Sequence, residues 1–131
     1  MTIKQADARD LLGIALKTFR EVVLPAVPAE QRVPALMIVN ALSIAERELA
    51  AGQEPERRLI PKLAKLLGEA VPETLDGPDL AKRFAELSGR LCAGITAGAF
   101  DDNPDLREYL WEVTRARLAV TNPKYVTDPP K

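Results

Sequence analysis

Polar side chains set into one strip of a helix-forming run mark where chemistry could reside in this sequence. The stretch MIVNALSIAERELAAG, residues 37–52, places Asn40, Ser43 and Arg47 at spacings i, i+3 and i+7. At about 100° per residue these three lie on a single line of one helix. An amide, a hydroxyl and a guanidinium in a row can recognise an anion, with Arg47 as the cationic contact and Asn40 as a hydrogen-bonding group. Glu48 follows directly but borders a different, apolar face. With a Tyr or Lys it would make an acid-base pair. A second unusual charge is Arg117, which shares a narrow stripe with Leu106, Leu110, Val113 and Val120. A buried, unpaired guanidinium there would cost several kcal/mol. The expectation is an ion pair with Glu48, or next with Glu46; the alternative is a ligand-binding cation.

Other chemistries are excluded by composition. The 131 residues contain no histidine, which removes Ser-His and Cys-His nucleophile pairs and every His-containing metal site. There is one cysteine, Cys92, so no internal disulfide can form. Its neighbours Leu91 and Ile95 mark it as an inert core residue. Asp101, Asp102 and Asp105 do not have EF-hand spacing. Neither a metal nor a cofactor is expected. Net charge is −1, with Lys and Arg scattered along the chain, so no footprint for nucleic acid or an anionic membrane is present. No apolar run reaches the length of a membrane span, and MTIKQADARD lacks a signal-peptide core. A cytoplasmic location is the simplest expectation.

The elements that must position these residues are all helical. Apolar residues recur at helical spacing, and the eleven prolines fall mostly between the periodic segments. The expected helices run from about Ala8 to Leu24, Ala29 to Ala51, Glu56 to Leu67, Pro78 to Ala97 and Asp105 to Val120. Gly52 and Gly68 serve as terminators, Asn103 as N-cap and Pro104 as the first helical residue. Pro34 lies near the start of the second helix and Pro61 inside the third. The fourth lines up Leu80, Phe84, Leu87, Leu91 and Ile95. VPETLDG, residues 71–77, reads as a loop. The expectation is an all-α fold: a single helical domain over 1–131, a bundle of about five helices with its core over about 8–125. The tail 121–131 is expected to be non-helical, with Tyr125 folded back as an anchor.

On the second helix Ile38, Ala41, Leu42, Ala45 and Leu49 share the main apolar face. Leu36, Met37, Val39 and Ile44 flank the polar line, so the first half is apolar nearly all round. Two readings of Asn40, Ser43 and Arg47 stand side by side. They form the solvated side of the helix, or they form a partly buried polar seam that braces the fold or walls a pocket. Ala93, Gly94, Ala97 and Gly98 make a small-residue patch suited to close helix packing.

Two stretches, NALSIAERELAAG (Asn40 to Gly52) and RLAVTNPKY (Arg117 to Tyr125), resemble the signatures of a family of small bacterial proteins of unknown function. The first helix, ending FREVVLP, is similar too. Pro34 departs from the family's more continuous helix, and Arg117 stands where lysine is more usual. The resemblance implies motif positions at Asn40, Arg47, Glu48, Arg117, Asn122, Pro123 and Tyr125. It also implies genes commonly beside those of acyl-CoA dehydrogenases and aminoglycoside-phosphotransferase-like kinases.

Three functions follow as expectations. The first is a non-catalytic accessory or interaction module working with an acyl-CoA dehydrogenase or the kinase-like enzyme. The second is a small-molecule-binding bundle, for a CoA ester or phosphorylated metabolite, with Arg47, Arg117 and Asn40 as contacts. The third is an enzyme using Glu48. A helix-mediated homodimer is compatible with the apolar start of the second helix. The candidate polar site is Asn40, Ser43, Arg47, Glu48, Arg117, Asn122 and Tyr125.

Overall fold

In the computed structural model, residues 7–72 and 77–126 are described. The chain is all-α. Its five helices are α1 (Ala8–Thr18), α2 (Arg32–Ala51), α3 (Glu54–Leu67), α4 (Asp79–Thr96) and α5 (Pro104–Thr121), with no strand among the described residues. Most of the expected loop at 71–77, the first six residues and the tail beyond Val126 lie outside the described residues. Contacts sort the chain into two units, Met1–Ala51 with Val120–Asn122, and Gly52–Ala119 with Pro123–Lys131.

The first unit begins with a reciprocal cap. The Asp7 carboxylate accepts from the Asp10 N–H at 2.9 Å, and the Asp10 carboxylate accepts from the Asp7 N–H at 3.3 Å. Together they satisfy donors that a helix start leaves open. The periodicity predicts a helix to Leu24, but the α-helical pattern ends at Thr18. A π-turn over Phe19–Val23 and a 3-10 turn over Leu24–Ala26 follow. Pro25 explains the change, because it has no N–H and its ring crowds the carbonyl four residues back. A 3-10 turn at Ala29–Gln31 precedes α2, so Pro34 is the third residue of that helix. Its missing N–H costs no intrahelical bond there. α1 packs on α2, with Leu16 and Ala35 buried.

The second unit holds the larger core. Leu59, Ile60 and Leu63 of α3 meet Leu80, Leu87 and Leu91 of α4 and Tyr109 of α5, with Phe84, Leu106, Val113 and Ala116 packed against them. Each fully buried aliphatic side chain contributes about 1.5–3 kcal/mol. That burial carries α3 through Pro61, which withdraws one backbone donor from its ladder. Gly68 closes α3 at φ 71°, and the Glu69 N–H donates to the Ala64 carbonyl at 2.9 Å. The cap delivers the Glu69 carboxylate to α4, where it pairs with Arg83 at 3.3 Å and with Arg90. Lys62 of α3 pairs with Glu112 of α5.

Four expectations are corrected on α4 and the tail. Cys92 is exposed, because it sits about 100° around the helix from the buried Leu91. Ile95 is exposed, since the core side of α4 ends one turn earlier at Leu91. Tyr125 does not fold back. It closes a 3-10 turn, Pro123–Tyr125, and stays exposed with the Lys124 ammonium 5.2 Å from its ring centre. The tail's first residue, Thr121, is still part of α5, so residues 121–125 are largely helical or turned.

Of the small-residue patch, Ala93, Ala97 and Gly98 are exposed and only Gly94 is closely covered. A Cβ on Gly94 would lie 2.5 Å from Cε2 of Phe100, whose ring covers the glycine. Gly94→Ala is therefore expected to cost about 1–3 kcal/mol through displacement of that ring. Phe100→Leu in the same chain should recover part of the loss, as read by urea unfolding.

Candidate functional site

The polar line of α2 divides into parts with different surroundings. Asn40 is exposed, whereas Ser43 and Arg47 are half-buried. The Ser43 hydroxyl donates to the Val39 carbonyl at 2.7 Å and accepts from Nη2 of Arg20 at 3.2 Å. Arg20 carried no local signal in the sequence, since it stands 23 residues from its partner. Arg47 Nε donates to the Val120 carbonyl at 2.6 Å, and its Nη2 lies 3.5 Å from the Thr121 carbonyl. These are terminal carbonyls of α5, which have no partner within their own helix. A guanidinium there also meets the negative end of the helix dipole. Asn122, half-buried, follows directly.

This bond physically joins the two sequence motifs, NALSIAERELAAG and RLAVTNPKY. A match over residues 25–125 to a domain of unknown function, DUF6285, covers both of them. The chain belongs to the DUF6285 family. No curated protein and no solved structure matches it.

The remaining candidates of this DUF6285 chain are set differently from the expectation. Glu48 is exposed on α2, and two residues of its expected apolar face, Ile38 and Leu49, are exposed as well. Arg117 belongs to the second unit and is exposed, as is Leu110. The buried side of α5 is centred on Tyr109, Val113 and Ala116, which rotates Leu110 and Arg117 onto its flank.

The second unit contains a recess that the sequence reading missed. About 300 Å³ in volume, it is lined by Lys62, Lys65, Asn103, Glu108, Tyr109 and Glu112. Asn103 is held there as the α5 cap, accepting from the Asp105 N–H at 2.9 Å. Burial, and secondarily the Glu112 carboxylate, push the Tyr109 phenol up to about 12. At neutral pH it is a hydrogen-bond donor and a poor base. Lys62 is already paired with Glu112. The group can hold a small polar ligand but offers no obvious proton shuttle. On the same helix Trp111 is half-buried, with its indole N–H buried and without a hydrogen-bond partner.

Two outcomes follow. Arg47→Ala is expected to destabilise the fold by about 1.5–3 kcal/mol, the range for hydrogen bonds made by charged groups. Arg47→Lys should recover only part of this, since lysine lacks the fork; thermal unfolding of the three chains checks both. Tyr109 is protonated in both states below its unfolded pKa near 10. Between about 10 and about 12 only the unfolded chain ionises it, so stability falls across that window. Urea unfolding at stepped alkaline pH should show a shallower fall in Tyr109→Phe.

Proposed function

We propose that this chain is a non-catalytic accessory or interaction module, whose client is an acyl-CoA dehydrogenase or an aminoglycoside-phosphotransferase-like kinase. The observation that carries the reading is where its apolar surface lies. Among the described residues thirteen large hydrophobics are exposed, and nine of them are in the first unit. Exposed apolar surface of that concentration marks a contact site. On α1 Leu11 and Ile14 stand one turn apart, more than half exposed, with Asp7, Arg9, Asp10 and Lys17 around them. An apolar centre with a mixed-charge rim is the anatomy of a protein interface. Arg47 is engaged with helix carbonyls and Tyr109 is a neutral phenol at physiological pH, which leaves little catalytic equipment. The choice of client classes rests on the resemblance alone.

A second reading, binding of a CoA ester or phosphorylated metabolite, draws on the recess beside Lys62 and Lys65. Titration of the full chain against purified enzymes of both client classes separates the two. Binding or altered turnover is expected, and Leu11→Glu with Ile14→Glu should weaken it at least about tenfold while leaving the unfolding temperature unchanged. No binding and no effect on turnover with either class overturns the proposal. If, in addition, acyl-CoA esters raise the unfolding temperature, the second reading replaces it.

A further inference from the structure

Asn40 lies on a strip of α2 that takes no part in the Leu11–Ile14 surface or in the recess beside Lys62 and Lys65. Along α2, Val33, Met37, Asn40 and Ile44 are spaced four, three and four residues apart. At about 100° per residue they fall within a strip roughly 60° wide. Val33 is 69% exposed and Met37 67%, Asn40 is exposed, and Ile44 is half-buried. Leu36 and Ala41, also exposed, flank the strip on its two sides. The side of α2 turned toward its own hairpin is another one, marked by the buried Ala35. The strip therefore has the alternating four-and-three spacing of a helix seam without the partner that such a seam packs against.

We infer that this strip is the contact surface of a symmetric homodimer, with Asn40 on its twofold axis. Three properties select a second copy of the chain as the occupant. A residue on a twofold axis meets itself, so it must be self-complementary. An amide is, because it carries both donor and acceptor and can hydrogen-bond to its own copy, whereas a carboxylate or ammonium would repel itself. Single asparagines in otherwise apolar seams fix register and oligomeric state in this way, at some expense in stability. The second property is area. Val33, Leu36, Met37 and Ala41 together expose roughly 400 Å², near the apolar share of the ~800 Å² that each partner buries in a stable interface. The third is charge. Between Val22 and Asn40 the only ionic side chains are Glu30 and Arg32, of opposite sign. That stretch therefore carries no net charge that would repel a second copy.

The dimer surface is distinct from the Leu11–Ile14 surface, so each can fail while the other stands. Sedimentation equilibrium of the full chain should give a dimer. Asn40→Asp, which sets two like charges against each other on the axis, should weaken the dimer at least about 100-fold. Met37→Glu should do the same. Both positions are exposed, and circular dichroism should confirm an unchanged helical content. In a Cys92→Ser background, Asn40→Cys should form a disulfide-linked dimer on mild oxidation, because only residues near the axis meet their own copy. Thr18→Cys, on α1, should not. A wild-type chain that stays monomeric at about 100 μM overturns the inference. So does a dimer that Asn40→Asp leaves intact and Asn40→Cys fails to cross-link. Loss of client binding in a Met37→Glu chain whose self-association is unchanged would assign the strip to the client instead, which also overturns it.

Discussion

A helix cannot satisfy the carbonyls of its own last turn, and the first unit is built on how that demand is met at Val120 and Thr121. Arg47 meets it from α2, with Nε on Val120 and Nη2 approaching Thr121. The guanidinium suits the task, because its donors diverge in a plane and can address successive carbonyls. The same bond accounts for the polar interruption of an apolar helix. Ser43 turns its hydroxyl back onto the Val39 carbonyl and receives Arg20, so the half-buried part of the polar line consists of groups with partners. A half-buried polar seam of this kind acts as a bracket, and it leaves Arg47 little freedom to act as a ligand's counter-ion.

The two units reflect different solutions to burying apolar surface. In the second, three helices share a core in which Ile60, Leu63 and Leu87 are fully enclosed. Salt links surround that core at Glu69 and at Lys62–Glu112. Among the described residues of the first unit only Leu16, Ala35 and Val120 are buried, and long apolar side chains remain at the surface. A two-helix hairpin has too little interior to enclose apolar residues on every side of both helices. Surface that folding leaves uncovered in this way is available to association, which is where the functional reading places it.

Much of the fold was legible because its signals are local. Asn103 before Pro104 and the glycines at 52 and 68 each act within one turn, so helix existence and most boundaries followed from sequence. α1 was drawn too long because its periodicity persists through Phe19–Val23 while the hydrogen-bond pattern changes under Pro25. The candidate site was less legible. A wheel that weighs only aliphatic residues centred α5 on Leu110 and Arg117. The buried side lies on Tyr109 and Ala116 instead, because tyrosine buries its ring as readily as leucine its side chain. Tyr125 was expected to anchor and does not, since beyond Pro123 the chain closes a short turn at the surface. Arg20 with Ser43 and Lys62 with Glu112 are long-range pairings, and no spacing rule along one helix reaches them.

Trp111 has a different kind of consequence. It is the chain's only tryptophan, half-buried on α5 within the second unit, with its indole N–H unpaired. Indole emission moves with the polarity and hydrogen bonding around that N–H. The intrinsic fluorescence of the whole protein is thus an optical report from one helix and its immediate surroundings. A ligand that reaches the indole changes the colour of the signal. The second unit thus carries its own built-in optical label.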